Sequence, residues 1–386
     1  MNSGNLVEGT EWRESTLGEF VRLQRGHDLT AEERETGSYP VMGSAGQNGT
    51  HNKFIASGPG VVIGRSGASM GRVHFTPHDY WPHNTCLYVT DFLGNDPRFA
   101  FYLLGTLDLA SYNSGSAQPS LNRNFAYTKP VLIPPPQEQA EIARFLGSLD
   151  DRIDNLRQTN ATLEAIAAAL FKSWFVDFDG VPAEDMRESE LGLIPKGWRV
   201  ASLDSIADYL NGLALQKLPP ESETEFLPVI KIAQLRAGNT DGADKASTRI
   251  KPEYIVEDGD VLFSWSGSLE VEVWTGGRGA LNQHLFKVTS REVPKWFYYF
   301  ATRQHLPDFR AIAAGKATTM GHIQRKHLTD ARVVVSPSDV MTGFGGVIAP
   351  LFERKLSNAI QAKALAQLRD ALLPQLISGQ LHGGEK

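Results

Sequence analysis

The sequence predicts an α+β chain written twice. It has two mixed α/β domains, separated by two long antiparallel coiled-coil helices in a pseudo-two-fold arrangement. Three observations predict this. The segment around residues 10–175 recurs around residues 196–376, with an offset that drifts only from 186 to 202. Each copy opens on short apolar runs broken by Gly, Ser and Asn. Each copy then closes on a long stretch with apolar residues every seven positions. Self-similarity at one long period marks a duplicated unit, and a sustained heptad marks a coiled-coil stripe.

The repeat is anchored along its length. Trp12, Arg13 and Leu17 return as Trp198, Arg199 and Leu203. Asn84 with Leu87-Tyr88 is read as returning in Asn282 with Leu285-Phe286, and Phe101-Tyr102 in Tyr298-Tyr299. SLNRN at residues 120–124 becomes HIQRK at residues 322–326, and Leu163 and Leu170 become Leu365 and Leu372.

The first domain is placed at residues 1–136. Its runs YPVMGSAGQNG, GVVIGRSGASMG and TCLYVT have the punctuation of strands and turns, with one helix near residues 98–110. VLIPPP then ends a strand, and proline, which needs no backbone N–H in a first helical turn, opens the next helix. That helix is placed at residues 137–176. Ile142, Leu149, Leu156, Leu163 and Leu170 form one seam; Leu146, Ile153, Asn160, Ala167 and Trp174 form the other. About 33 residues at 1.5 Å each span roughly 50 Å. Residues 177–196, acidic and rich in turn formers, read as a linker. The second domain is placed at residues 197–338, with a helix near residues 295–303, and the second long helix at residues 339–380, followed by a tail at 381–386. Its seam is Leu351, Asn358, Leu365 and Leu372, and Pro374 is expected to end or kink it.

Antiparallel pairing would bring Asn160 opposite Asn358, a buried amide pair that fixes register at some expense of stability. Phe171, Trp174 and Phe175 are read as exposed aromatics that call for partners.

Bulk numbers bound the class. The 386 residues suffice for two cores, with 41% apolar and 21% charged side chains. The single cysteine, Cys86, forbids an intrachain disulfide and fits a reducing compartment. The first residues lack a basic-then-apolar leader, and no stretch reaches the ~18 apolar residues of a membrane span. A cytoplasmic protein without membrane contact is expected. Net charge is −6, with −7 carried by residues 137–190 alone, so the repeated domains are near neutral and could each bear a local basic stripe.

Catalytic patterns fail when examined. AAGKAT at residues 313–318 lacks the first glycine of a phosphate loop, where Arg310 stands, and the Ser or Thr directly after Gly-Lys, where Ala317 stands. His74, His78, His83 and Cys86 have zinc-like spacing, but the second copy has no counterpart, so no metal is expected. Asp308, Glu353 and Lys355 only mimic a nuclease set. Ser66 in GRSGAS lacks the second glycine of a nucleophile elbow. Asp96-Pro97-Arg98-Phe99 is a near miss for amino methylation.

QPSLNRN, the PPPQEQ junction into the long helix, LFKSWFVDFDG and LGLIPKGWRVASLDSIA together resemble the specificity subunit of type I restriction–modification enzymes, over about residues 11–380. The resemblance implies two target recognition domains, each reading half of a split double-stranded DNA sequence. It implies helices that hold the domains apart and dock two modification (methyltransferase) subunits, to which restriction subunits can add. The subunit itself would catalyse nothing and hold no cofactor; S-adenosylmethionine, and ATP with Mg where restriction occurs, would belong to the partners. A four-residue insertion after Ala161 is then expected to lengthen the gap between half-sites. The other class of reading is a protein-interaction scaffold that binds no DNA.

Base edges are read by hydrogen-bonding side chains on loops that enter a groove. In the first copy the candidates are Ser44, Gln47, Asn48, Arg65, Ser66, Ser69, Gln118, Asn122 and Arg123. In the second they are Lys231, Gln234, Arg236, Ser264, Trp265, Ser268, Lys316, Thr318, Thr319 and Arg325. Arg65 aligns with Trp265 and Gln118 with Thr318, so matching places carry different residues. Arg123 and Arg325 are shared and suit phosphate contact or bracing better than base reading. The same loops could simply turn corners. Partner-facing or seam positions are Leu149, Ile153, Leu156, Asn160, Leu163, Leu170, Trp174, Asn358, Leu365 and Leu372.

Overall fold

The main sheet has the same strand order in both copies. In the computed structural model, which describes residues 11–112, 120–315 and 321–381, Arg13–Thr16 pairs antiparallel with Pro130–Ile133, and Arg199–Ser202 with Arg332–Val335. A four-stranded sheet runs Arg22–Arg25, Cys86–Asp91, Gly60–Gly64, Val73–Thr76. Its counterpart runs Asp208–Asn211, Leu285–Thr289, Val261–Ser264, Val271–Val273. A second small sheet differs between copies. It has three strands in the first (Gly46–His51, Tyr39–Gly43, Trp81–Pro82) and four in the second (Lys245–Ala246, Leu227–Ile230, Gly279–Leu281, Ile255–Val256).

The register corrects one part of the sequence alignment. Ile63 pairs with Leu87, and Phe263 with Phe286. Leu87 is therefore equivalent to Phe286, not to Leu285, and His83 rather than Asn84 is equivalent to Asn282. Both apolar neighbours fit either register by hydropathy alone; the ladder decides between them.

The chain divides into two units, Met1–Ile153 with Ala364–Lys386, and Asp154–Lys363. In the first unit Leu17, Phe20, Val61, Ile63, Phe99, Leu104 and Leu109 are fully or almost fully buried, and Ile142, Leu146, Leu376 and Ile377 of the long helices pack on them. The helix Pro97–Thr106 is capped by the Asp96 carboxylate, which accepts from the Arg98 and Phe99 amides, with proline at the first position. In the second unit Val261, Phe263, Phe297, Tyr299 and Phe309 form the centre.

The long helices span Pro136–Lys172 and Ser338–Ile377, 37 and 40 residues. The first ends in a π turn, Ser173–Asp177, closed by Phe178 in the left-handed region at φ 58°. Pro374 does not stop the second helix, which continues three residues to Ile377. In unit one Arg369 Nη1 donates to Asp150 Oδ1 at 2.6 Å. In unit two Asn358 Nδ2 donates to Asn160 Oδ1 at 3.0 Å, and Asn160 Nδ2 to the Lys355 carbonyl at 2.9 Å. Glu164 pairs with Lys355 one turn further along, so partner numbers fall as helix numbers rise, the two helical segments of unit two run antiparallel, and the expected Asn pair forms.

Burial follows 3.6 more closely than 3.5. Ile142, Leu146, Ile153, Leu156, Ala167, Phe171 and Phe175 are buried, whereas Leu149, Leu163, Leu170 and Trp174 are half-buried. The stripe drifts around the helix as an unsupercoiled one must. Leu365 and Leu372 are half-buried too. The aromatic end is not exposed as expected. Phe175 packs edge-on to Phe297 at 5.0 Å, and Trp174 stacks on Phe344 at 4.3 Å. The expected linker also holds structure, a hairpin of Met186–Ser189 and Gly192–Pro195 with Ile194 fully buried. Among the described residues no helix is long and apolar enough to cross a membrane.

Candidate nucleic-acid interface

A groove of about 740 Å³ in the first unit collects Arg25, His27, Asp28, Arg65, Ser120, Asn122 and Arg123. Its floor is set by a close backbone approach. The Gly26 amide donates to the Cys86 carbonyl at 3.0 Å, and a Cβ on Gly26 would lie 2.1 Å from the His83 carbonyl oxygen, so only glycine fits. Gly212 repeats this in the second unit, 2.2 Å from the Asn282 carbonyl oxygen.

Arg65 begins the loop after Gly60–Gly64. Its amide donates to the Thr85 carbonyl at 2.9 Å, its carbonyl accepts from the Leu121 amide at 2.8 Å, and its Nη1 donates to the Asn84 carbonyl at 3.0 Å. The equivalent Trp265 makes the same backbone bonds, to the His284 carbonyl at 3.3 Å and from the Ile323 amide at 3.0 Å. Its side chain does something else. The indole Nε1 donates to Asn211 Oδ1 at 2.9 Å, and the ring lies 6.0 Å from Phe286 and 5.8 Å from His284.

The shared arginines brace. Arg123 Nη1 donates to the Leu23 carbonyl at 2.9 Å, and Arg325 Nη2 to the equivalent Tyr209 carbonyl at 3.0 Å, its guanidinium over the Phe286 ring. Both remain largely exposed. Asn122 caps the turn Arg123–Ala126 by accepting from the Asn124 amide at 3.0 Å.

The remaining candidates scatter. The Ser44 hydroxyl donates to the Ser66 and Thr85 carbonyls at 2.8 and 3.0 Å and accepts from the Ser66 amide at 3.3 Å, locking the two serines together. Ser69 is half-buried at the end of the turn Gly67–Ser69. Gln47 and Asn48 are exposed on Gly46–His51, where the Asn48 carbonyl accepts from Arg34, and neither lines the groove. Ser264 is fully buried with its hydroxyl on the Ser268 carbonyl at 2.6 Å, while Ser268 is exposed. Lys231 is paired with Asp244, and Gln234 accepts from the Lys231 amide at 3.3 Å. Arg236 lines a separate cavity of about 410 Å³ with Glu270, Glu272 and Lys355. Gln118, Lys316, Thr318 and Thr319 lie outside the described residues.

Sequence reasoning missed Arg25, His27 and Asp28. His27 Nε2 is 3.3 Å from the Tyr88 hydroxyl, and Arg25 Nη2 is 3.4 Å from Asp28 Oδ1. The signal was there: RGHD at residues 25–28 and NGLA at residues 211–214 share a glycine with different neighbours.

Among the described residues no three His, Cys, Asp or Glu side chains converge. His74 turns to the Ser44 carbonyl and His83 to the Thr85 hydroxyl. Burial pushes the Cys86 thiol up to about 12. Lys355 pairs with Glu164 rather than completing a set with Glu353.

What remains is a backbone frame that recurs in both units, with a groove on it in the first. Residues 9–165 match the family model described as a type I restriction modification DNA specificity domain. The chain is similar to the specificity subunits of type I restriction–modification systems. A specificity subunit determines which DNA its type I system recognises. The chain is 27% identical over 300 residues to the MjaIX specificity subunit of Methanocaldococcus jannaschii, covering 74% of this chain and 69% of that one. It is 23% identical over 363 residues to the HindI specificity subunit of Haemophilus influenzae, covering 74% and 77%. The fold resembles the crystal structure of a type I restriction–modification S subunit from M. genitalium, with TM-score 0.63 at 15% identity over 96% of this chain and 97% of that one.

Proposed function

We propose that this chain is the specificity subunit of a type I restriction–modification system and reads a bipartite, gapped double-stranded DNA target, one half-site per repeat. It docks two modification subunits, with restriction subunits able to add, and is itself non-catalytic. The observation that carries this is the pair of superposable positions with unlike side chains. Backbone bonds at Arg65 and Trp265 match one for one, while the groups they present differ. One scaffold used twice with different reading groups suits a target with two unlike halves.

The helices suit the gap and the partners. At about 1.5 Å per residue, 37 and 40 residues are roughly 55–60 Å long. Phe145, Ile166, Leu368, Ile360 and Val347 stay substantially exposed along them, which is apolar surface of the kind a partner helix covers. S-adenosylmethionine, and ATP with Mg for restriction, belong on this reading to the partner subunits. The net charge of −6 argues that partners supply much of the phosphate contact, so the lone subunit should bind DNA weakly and salt-sensitively.

The test is co-expression with the cognate modification subunit and mapping of methylated adenines across the host genome. A two-part motif with a fixed gap is expected. A complex that forms on a competent methyltransferase yet leaves no motif would favour a protein scaffold instead.

A further inference from the structure

We infer that Arg65 is a guanine-reading residue of the first repeat, and that the hydrogen-bonded Asn211–Trp265 pair closes the corresponding place in the second. This rests on the DNA-reading function proposed above and names one position at which the half-sites differ.

The argument starts from two aligned positions. The residue before the close-approach glycine is Arg25 in one copy and Asn211 in the other. The residue opening the next loop is Arg65 or Trp265. In the second unit these two side chains join, Trp265 Nε1 to Asn211 Oδ1 at 2.9 Å. In the first unit both are cations; they cannot pair, and both line a groove of about 740 Å³.

Arg65 is held by one nitrogen only. Nη1 donates to the Asn84 carbonyl at 3.0 Å, and among the described residues Nε and Nη2 have no hydrogen-bond partner and Arg65 has no ion pair. A guanidinium fixed at one corner offers its remaining donors as a planar fork. Guanine is the base whose major-groove edge presents two acceptors, O6 and N7; adenine presents a donor beside N7. A phosphate also offers paired acceptors, but a phosphate clamp has no reason to differ between copies. The arginines that are shared, Arg123 and Arg325, are the ones tied to equivalent strand carbonyls. Arg65 is half-buried and lines the groove, at a position where the copies diverge, as a base reader must.

The experiment uses the complex with its modification subunit, carrying wild type, Arg65→Gln or Arg65→Lys. The readouts are the genomic methylation motif and methylation rates on duplexes with single base changes. Wild type should require guanine at one position of one half-site. Arg65→Gln should lose that preference by roughly tenfold to a hundredfold with the other half-site unchanged. A uniform fall across all sequences would mean a phosphate contact and overturn the inference; so would an unchanged motif. Should Arg65→Gln not assemble, Arg65→Lys decides, since lysine keeps donors for O6 and N7. Weaker discrimination at that one position with the other positions unchanged supports the inference, since lysine lacks the planar fork; a uniform fall across all sequences overturns it. Absence of any two-part motif from the wild-type complex would instead remove the proposed function itself.

Discussion

Asn358 donates its amide to Asn160 Oδ1 at 3.0 Å while its own Oδ1, buried, accepts from nothing among the described residues. Asn358 is 1% exposed. The pair is thus polar, buried and incompletely satisfied, which costs stability and makes sense as a register lock. It also changes what a single substitution should do. Asn160→Leu strips the last side-chain partner from a buried amide, so the single variant should lose about 2 kcal/mol rather than gain stability. Replacing both, Asn160→Leu with Asn358→Leu, removes the unsatisfied groups together and should melt at or above wild type, with less uniform helix alignment. Urea melts of the two variants check this; a double variant less stable than Asn160→Leu would exclude it.

Glu272 gives a pH test. Burial raises its carboxyl above the usual carboxylate range; Lys355 and Arg303 oppose this, and Glu164 and Glu270 reinforce it. A raised folded-state value means protonation favours the fold. The stabilising share is present below the unfolded value of about 4.5 and is lost as pH rises through the folded value. Glu272→Gln, which mimics the protonated form, should therefore melt higher than wild type at pH 7. The difference should vanish near pH 4. Paired thermal melts at the two values decide it.

Cys86 should be inert while the chain is folded. It is fully buried, its thiol donates to the Met42 and His83 carbonyls at 3.4 and 3.1 Å, and it is pushed up to about 12. At pH 8 the thiolate population is negligible. Alkylation followed by mass spectrometry should show no modification in buffer and complete modification in denaturant. Rapid labelling of the native chain would contradict the packing.

Much of the fold is legible in the sequence because it is repeated. Periodicity locates both long helices to within a few residues, and two polar interruptions of the seams identify Asn160 and Asn358. Hydropathy does not resolve a one-residue slip among Leu87, Leu285 and Phe286, since apolar neighbours are interchangeable until a ladder fixes them. Nor does it show that Phe171 and Phe175 are core, because their partners Phe297 and Trp296 lie more than 100 positions on. The candidate groove is half legible. Arg65, Asn122 and Arg123 share the groove, but Ser264 proves buried, and Arg25 escaped notice because it stands on a strand rather than a loop.

The helices can be tested as a ruler. A four-residue insertion after Ala161 adds about 6 Å, just over one helical turn. Made in one helix alone, it would slide Asn160 and Glu164 past Asn358 and Lys355, breaking the bonds that join them. The same insertion is therefore needed in the second helix, after Ser357, to keep the antiparallel register. The matched pair should lengthen the gap between half-sites by one or two base pairs at ~3.4 Å each, with both half-site sequences unchanged. The insertion after Ala161 alone should destabilise the complex instead. Methylation motifs from hosts carrying each form report the gap directly. A matched variant that assembles and methylates with the original gap would show that something other than helix length sets the spacing.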